Sequence, residues 1–122
     1  MSTEPQPPSL SEIVGRAAVV CDPGGANAGV VSLQQRFEDR DEPVTGVGRL
    51  ESELAEAVGA VDPQREDPAV AMTSALILHL AHRRDQLVAD PKQLLTQAAR
   101  DEFAGAPPEH VQGWLAAQGV SV

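Results

Sequence analysis

The chain has 122 residues and a mass of 12.8 kDa, which suits a single domain with one core. Hydrophobic residues make up 42% of the chain and aromatic residues only 2%, so the core is built from small aliphatic side chains, which favour packed helices over stacked sheets. The net charge of −9 disfavours binding to nucleic acid, and the single cysteine excludes an internal disulfide.

The first predicted elements are a proline-rich lead and two helices. We predict that residues 1–8 are disordered and that residues 9–122 form one helical domain. Ser9 and Glu12 have the Ser-x-x-Glu spacing of a capping box, which predicts a first helix that ends at the turn formed by residues 22–25. A second, amphipathic helix follows, and its apolar residues recur at helical spacing. They are Ala26, Val30, Leu33 and Phe37.

The segment around this turn also permits an alternative interpretation. Residues 17–21 could form a short buried strand, so that strand, glycine turn and helix would follow one another as in a phosphate-binding unit. The sequence Asp-Pro-Gly-Gly-Ala-Asn at residues 22–27 resembles loops of nucleotide-sugar enzymes of α/β type. Its glycines do not have the G-x-G-x-x-G spacing, and no second strand pattern follows. A plain turn between two helices is therefore the favoured interpretation.

The middle of the chain predicts a third helix and a central one. Apolar residues recur from Leu50 to Val61 at intervals of three and four, which predicts a helix with a narrow apolar stripe and an acidic back. The Asp67-Pro68 pair then marks a helix start, because Asp caps the first turn and Pro fits inside it. The near-continuous apolar run at 69–81 predicts a buried central helix over about residues 68–89.

Two more helices complete the predicted fold. One begins at a further Asp-Pro pair, Asp90-Pro91, and runs to Phe103, with Gly105 as its C-terminal cap. A short closing helix contains Trp114. No internal repeat is evident in the residue pattern. The sequence thus predicts an all-α protein, a compact bundle of five or six helices around the central helix.

The central helix carries the one candidate metal site. His79, His82 and Asp85 are spaced three residues apart, which aligns two imidazoles and a carboxylate along one ridge of a helix. Such a ridge could supply three ligands to zinc or a similar metal. A complete site needs a further ligand from another helix, and the repeated Glu-x-x-His motif of carboxylate bundles is missing. The simpler interpretation places these residues at the core edge and the surface, and no cofactor is predicted.

Other features argue against catalysis, nucleic-acid binding and membrane insertion. Cys21 follows two valines, as is typical of a small buried residue rather than a nucleophile. Residues 38–67 hold ten of the 18 acidic residues, and residues 109–119 contain no Lys or Arg for reading DNA. No apolar run reaches the roughly 20 residues of a membrane span, and the amino terminus lacks signal-peptide features. We expect a cytoplasmic protein that is not an enzyme.

Two functional hypotheses follow from these patterns. The leading one is a small non-enzymatic interaction or regulatory protein that presents a helical face to another protein or to itself. Self-association as a homodimer is expected because a short chain has difficulty covering a helix that is apolar on all sides. The alternative is a helical metal- or small-ligand-binding protein, or an enzyme, with its site near His79, His82 and Asp85.

Overall fold

The computed structural model describes residues 7–120, and that range contains six α-helices and no β-strand. The helices are α1 (Leu10–Cys21), α2 (Ala28–Gln35), α3 (Leu50–Val61), α4 (Pro68–His82), α5 (Pro91–Phe103) and α6 (Glu109–Ala117). The all-α prediction is confirmed. The predicted disorder of residues 1–8 falls mainly outside the described residues, and within them the carbonyl of Pro8 accepts a hydrogen bond from the backbone of Val44 at 3.0 Å.

The predicted capping residues start three of the six described helices. The hydroxyl of Ser9 accepts a hydrogen bond from the backbone N–H of Glu12 at the start of α1. The carboxylates of Asp67 and Asp90 cap α4 and α5 in the same way, each with a proline in the first turn. These side chains satisfy backbone donors that have no partner inside the helix, which is why the starts could be read from the sequence.

Residues 17–21 form the last turns of α1, so the alternative interpretation of this segment as a strand is wrong. The reason is the spacing of the buried residues along α1, which follows the period of a helix rather than the alternation of a strand. These buried residues are Leu10, Ile13, Val14, Ala17, Ala18, Val20 and Cys21. The face that they form packs mainly on α2 and α4.

The central helix α4 packs against each of the other five helices. Most of its side chains are buried, including Met72, Leu76 and Leu80 with no exposed surface. One side of α4 is different, because Ala71, Ser74 and Leu78 are only half-buried. These three residues lie three and four positions apart, so they form a single stripe along the helix.

The helix α4 ends at His82 and does not continue to residue 89 as predicted. Arg83 leaves the helical backbone conformation, with φ −119° and ψ 67°, and a single 3₁₀ turn follows at Arg84–Gln86. Arg83, Arg84 and Asp85 are all exposed, so this segment has no apolar face whose burial would favour a longer helix. The turn instead brings the side chain of Gln86 back onto α4.

The structure contains an internal repeat that the residue pattern did not reveal. The α1–α2 loop and the α3–α4 loop have the same conformation, with equivalent residues forty positions apart. Asp22 and Asp62 each end a helix, and each carboxylate accepts hydrogen bonds from the backbone N–H groups four and five residues further on. Gly25 and Arg65 occupy equivalent positions and have positive φ values of 63° and 54°.

The two copies of this loop meet at equivalent residues. The amide of Asn27 donates a hydrogen bond to the carboxylate of Asp67 at 3.4 Å. Beside this contact α2 and α4 come close at Gly29, where a Cβ atom would lie only 2.7 Å from a methyl group of Val70. Each loop joins two consecutive helices that pack on each other, α1 with α2 and α3 with α4.

Candidate functional site

His79, the first of the predicted metal ligands, is 5% exposed and lies near the end of α4. Its Nδ1 is 2.7 Å from a carboxylate oxygen of Asp101 on α5, and its Nε2 is 2.7 Å from the side-chain oxygen of Gln86. Both partner atoms accept hydrogen bonds, so each ring nitrogen forms the contact as a hydrogen bond only where it carries a proton, and a nitrogen without one needs a donor such as the NH2 group of Gln86 turned toward it. In this structure His79 joins α4, α5 and the turn after α4.

The structure places His82 and Asp85, the other predicted ligands, at the surface. His82 is the exposed last residue of α4. The Asp85 carboxylate accepts two hydrogen bonds from Arg83, at 3.3 and 3.4 Å, and this contact lowers the pKa of Asp85. Within residues 7–120, no three His, Cys, Asp or Glu side chains are grouped to hold a metal ion. The structure therefore does not bring His79, His82 and Asp85 together as one set of ligands.

Cys21 lies in the core at the end of α1 and is 5% exposed. Burial raises the pKa of its thiol from the ordinary 9.0 to about 12, and the neighbouring negative charge of Asp22 adds to the effect of burial. A nucleophilic cysteine needs a thiolate near neutral pH, which usually requires a lowered pKa and access to solvent. Cys21 instead has a raised pKa and a side chain that is buried away from solvent.

The half-buried stripe of α4 forms the floor of a groove between α3 and the facing ends of α5 and α6. We call its larger part the main lobe, which has a volume of about 300 Å³. Ala71, Ser74 and Leu78 line it from α4. The main apolar residues of its walls are Leu54 and Val58 on α3, Phe103 on α5 and Val111 on α6.

The groove continues along α4 toward His82 as a second lobe of about 190 Å³. His79 and Asp101 line this lobe as well. Three residues line both lobes: Glu51 of α3, Leu78 of α4 and Glu102 of α5. We call these three residues the junction of the two lobes.

The groove combines this apolar floor with an acidic rim. Glu51, Asp62 and Glu102 line the main lobe, where Arg65 and His110 contribute positive or titratable groups. Partial burial raises the pKa of Glu102, and the negative charge of Glu51 raises it further. The two carboxylates that both lobes share therefore repel each other, although both residues are exposed.

Sequence reasoning did not identify Glu51, Ser74 or Glu102 as site residues. The interruption of the apolar run at Ser74 was a visible signal that one side of α4 differs from the others. The walls of the groove could not be read in this way, because α3 and α6 are separated by more than forty residues of chain.

Comparison of this chain with protein families, curated proteins and solved structures finds no match. Among the residues that the structure describes, no helix is both long enough and apolar enough to cross a membrane. The shape and chemistry of the groove are thus the basis for a functional assignment.

Proposed function

We propose that this protein is a non-enzymatic interaction module, a compact bundle around α4 that binds an amphipathic helix of another protein in its groove. The observation that supports this function is the half-buried stripe of α4, formed by Ala71, Ser74 and Leu78. The other sides of α4 are covered by the helices of the same chain. A partner helix laid in the groove would cover the remaining side, which is a common mode of peptide recognition.

The lining of the groove suits apolar side chains of the partner. Leu54 and Val58 face the main lobe from α3, and Phe103 faces it from α5. One leucine-sized side chain buried there would contribute about 1.5–3 kcal/mol to binding. The main lobe, at about 300 Å³, has room for such a side chain, and the groove is open along α4 for the helix that carries it.

The charge of the groove favours a basic partner over a second copy of this chain. The rim carries Glu51, Asp62 and Glu102, and the whole chain has a net charge of −9. A second copy would bring more negative charge to an acidic rim, whereas a helix with Lys or Arg beside its apolar face would be attracted to it. We therefore assign the groove to a basic amphipathic helix and not to a homodimer contact.

The alternative of a metal or small ligand near His79, His82 and Asp85 has less support. A metal ion on His79 would have to displace either Asp101 or Gln86 from its ring nitrogens. Asp85 would have to leave Arg83. A zinc titration that releases heat with the wild type, and none with His82→Ala, would favour this alternative over the interaction module.

A displayed library of random peptides, selected on the whole protein, tests the proposed function. Ser74→Trp fills the main lobe from its floor, and Ser32→Trp, on the exposed side of α2, is the matched control. We expect peptides that bind the wild type and Ser32→Trp but not Ser74→Trp. A selection that yields no groove-dependent peptide would overturn the proposal. A dimer in light scattering that Ser74→Trp disrupts would assign the groove to a second copy instead.

A further inference from the structure

We infer that the partner helix seats a ridge of its own side chains, spaced four residues apart, in a furrow of α4 and crosses α4 at about −50°. This deepens the proposed function and rests on it. It specifies the spacing of the apolar residues that the partner must carry and the direction in which the partner lies on α4.

The floor of the groove has a regular arrangement on α4. Every α4 residue that lines either lobe belongs to one of two neighbouring rows, in which successive residues are four positions apart. The inner row is Ala71, Ala75 and His79, and the outer row is Ser74, Leu78 and His82. Rows of this spacing form the ridges of a helix surface, so the floor of the groove is the furrow between two ridges.

The two rows differ in how far the neighbouring helices cover them. In the inner row Ala75 and His79 are buried, and Asp101 of α5 contacts the ring of His79. In the outer row Leu78 is half-buried and His82 is exposed. Residues of both rows nevertheless line each lobe. The furrow is therefore open from the side of the outer row, where a ridge of another helix can enter it.

The direction of the furrow sets the sign of the crossing angle. The main lobe lies over the beginning of the two rows and the second lobe over their ends, so the groove follows the rows. Such rows are inclined to the helix axis by about −26°. A helix that seats its own four-residue ridge between them crosses at about −50° and stays near the direction of the groove. A ridge spaced three residues apart would give about +20° and turn the partner toward the walls of the groove.

The sizes of the two lobes give the order of side chains on the partner's ridge. The main lobe has a volume of about 300 Å³ and the second lobe about 190 Å³, and they adjoin at Leu78. Residues four positions apart on the partner are separated by about 6 Å along its axis, or roughly one turn. The expected partner therefore carries a leucine-sized residue for the main lobe and, four positions away, a smaller residue for the second lobe.

The groove-dependent peptides of the selection described above test this arrangement. We expect their apolar residues to recur at i, i+4 and i+8, and a crystal structure of one complex should show a negative crossing angle. Ala71→Leu fills the beginning of the furrow, and Ala81→Leu, a half-buried position of α4 outside both rows, is the matched control. Calorimetry should show a loss of affinity of about tenfold or more for Ala71→Leu and of less than about twofold for Ala81→Leu.

The outcomes separate the furrow from the proposed function. Groove-dependent peptides whose apolar residues recur at i, i+3 and i+7, or a complex with a positive crossing angle, would overturn the furrow and leave the groove as a docking site. Equal losses of affinity in Ala71→Leu and Ala81→Leu would do the same. A selection without groove-dependent peptides would overturn both proposals. The peptide pattern and the crossing angle are measured on the wild type, so they decide the question even if a leucine variant fails to fold.

Discussion

The Nδ1 atom of His79 lies 2.7 Å from the Oδ2 atom of Asp101, and this contact connects the central helix α4 to α5. The two side chains differ in exposure, at 3% for His79 and 66% for Asp101. On the other side of the ring, Nε2 meets Gln86 at 2.7 Å and fixes the turn that follows α4. One buried imidazole therefore links three segments of the chain.

Replacing His79 with alanine should destabilise the protein. The change removes the polar contacts of the ring with Asp101 and Gln86 and leaves a cavity, so we expect a loss of about 2–4 kcal/mol in the free energy of unfolding. Urea denaturation measures this loss. His82→Ala, on the same helix but exposed, should change stability by less than about 0.5 kcal/mol. Equal effects of the two changes would contradict the role given to His79.

Two glycine substitutions should have opposite effects. A Cβ atom at Gly29 would lie 2.7 Å from Val70 and 3.1 Å from Asp67, so Gly29→Ala forces α2 and α4 apart. We expect a cost of about 1–3 kcal/mol. Gly59 in α3 has open space around its Cβ position, and Gly59→Ala should stabilise the protein by about 0.5–1 kcal/mol. Thermal unfolding of both variants measures the difference, and a neutral Gly29→Ala would refute the close approach of the two helices.

The repeated loops predict equal effects at equivalent positions. The carboxylates of Asp22 and Asp62 each accept hydrogen bonds from two backbone N–H groups. Each change to alanine should cost about 1–2 kcal/mol, because the loop donors then lose their partner. Chemical denaturation should find the two losses within about 0.5 kcal/mol of each other. Glu66→Ala, an exposed change in the second loop, serves as the control.

Cys21 should be unreactive in the folded protein. Burial raises the pKa of its thiol to about 12, so almost no thiolate is present at neutral pH. Thiol reagents should label it only at the rate of unfolding. The unfolded chain loses the thiol proton near the ordinary pKa of 9.0, and the folded chain keeps it. The stability that this group contributes should therefore decline as the pH rises from 9.0 toward 12, and Cys21→Ala should remove that part of the decline.

Removing the charge of Glu102 should stabilise the unbound protein. The pKa of Glu102 is raised on folding by partial burial and by Glu51, so its charged form is disfavoured in the folded state. The contribution of Glu102 to the stability of the folded protein is favourable below the ordinary pKa of 4.5. It is lost as the pH rises through the pKa that Glu102 has in the folded protein. Glu102→Gln should raise the melting temperature at neutral pH and have no such effect well below pH 4.5. A lower melting temperature at neutral pH would contradict the repulsion.

The starts of α1, α4 and α5 were predictable because their cause is local. Ser9, Asp67 and Asp90 each cap the helix that follows within three residues of chain, so their positions carry the signal directly. The end of α4 was predicted wrongly at residue 89. Arg83, Arg84 and Asp85 are exposed and add no apolar face to the helix, and the turn that replaces it is held by the contact of Gln86 with His79, seven residues earlier in the chain.

The candidate site was less predictable than the fold. The sequence indicated His79, His82 and Asp85 by their spacing, but spacing on one helix does not show what the neighbouring helices contribute. Asp101, which occupies one nitrogen of His79, comes from α5. The repeat was hidden because the two loops share only an Asp-Pro pair, whose carboxylate accepts the hydrogen bonds from backbone N–H groups, while most of their other side chains differ.

By itself the sequence determined the helical class of the described chain and the starts of α1, α4 and α5, because caps and apolar periodicity act over a few residues. Only the tertiary structure decided which side of α4 stays half-buried and which residues of α3, α5 and α6 line the groove beside it. Those features depend on how helices distant in the chain pack together, and packing is a property of their combined surfaces rather than of any one segment.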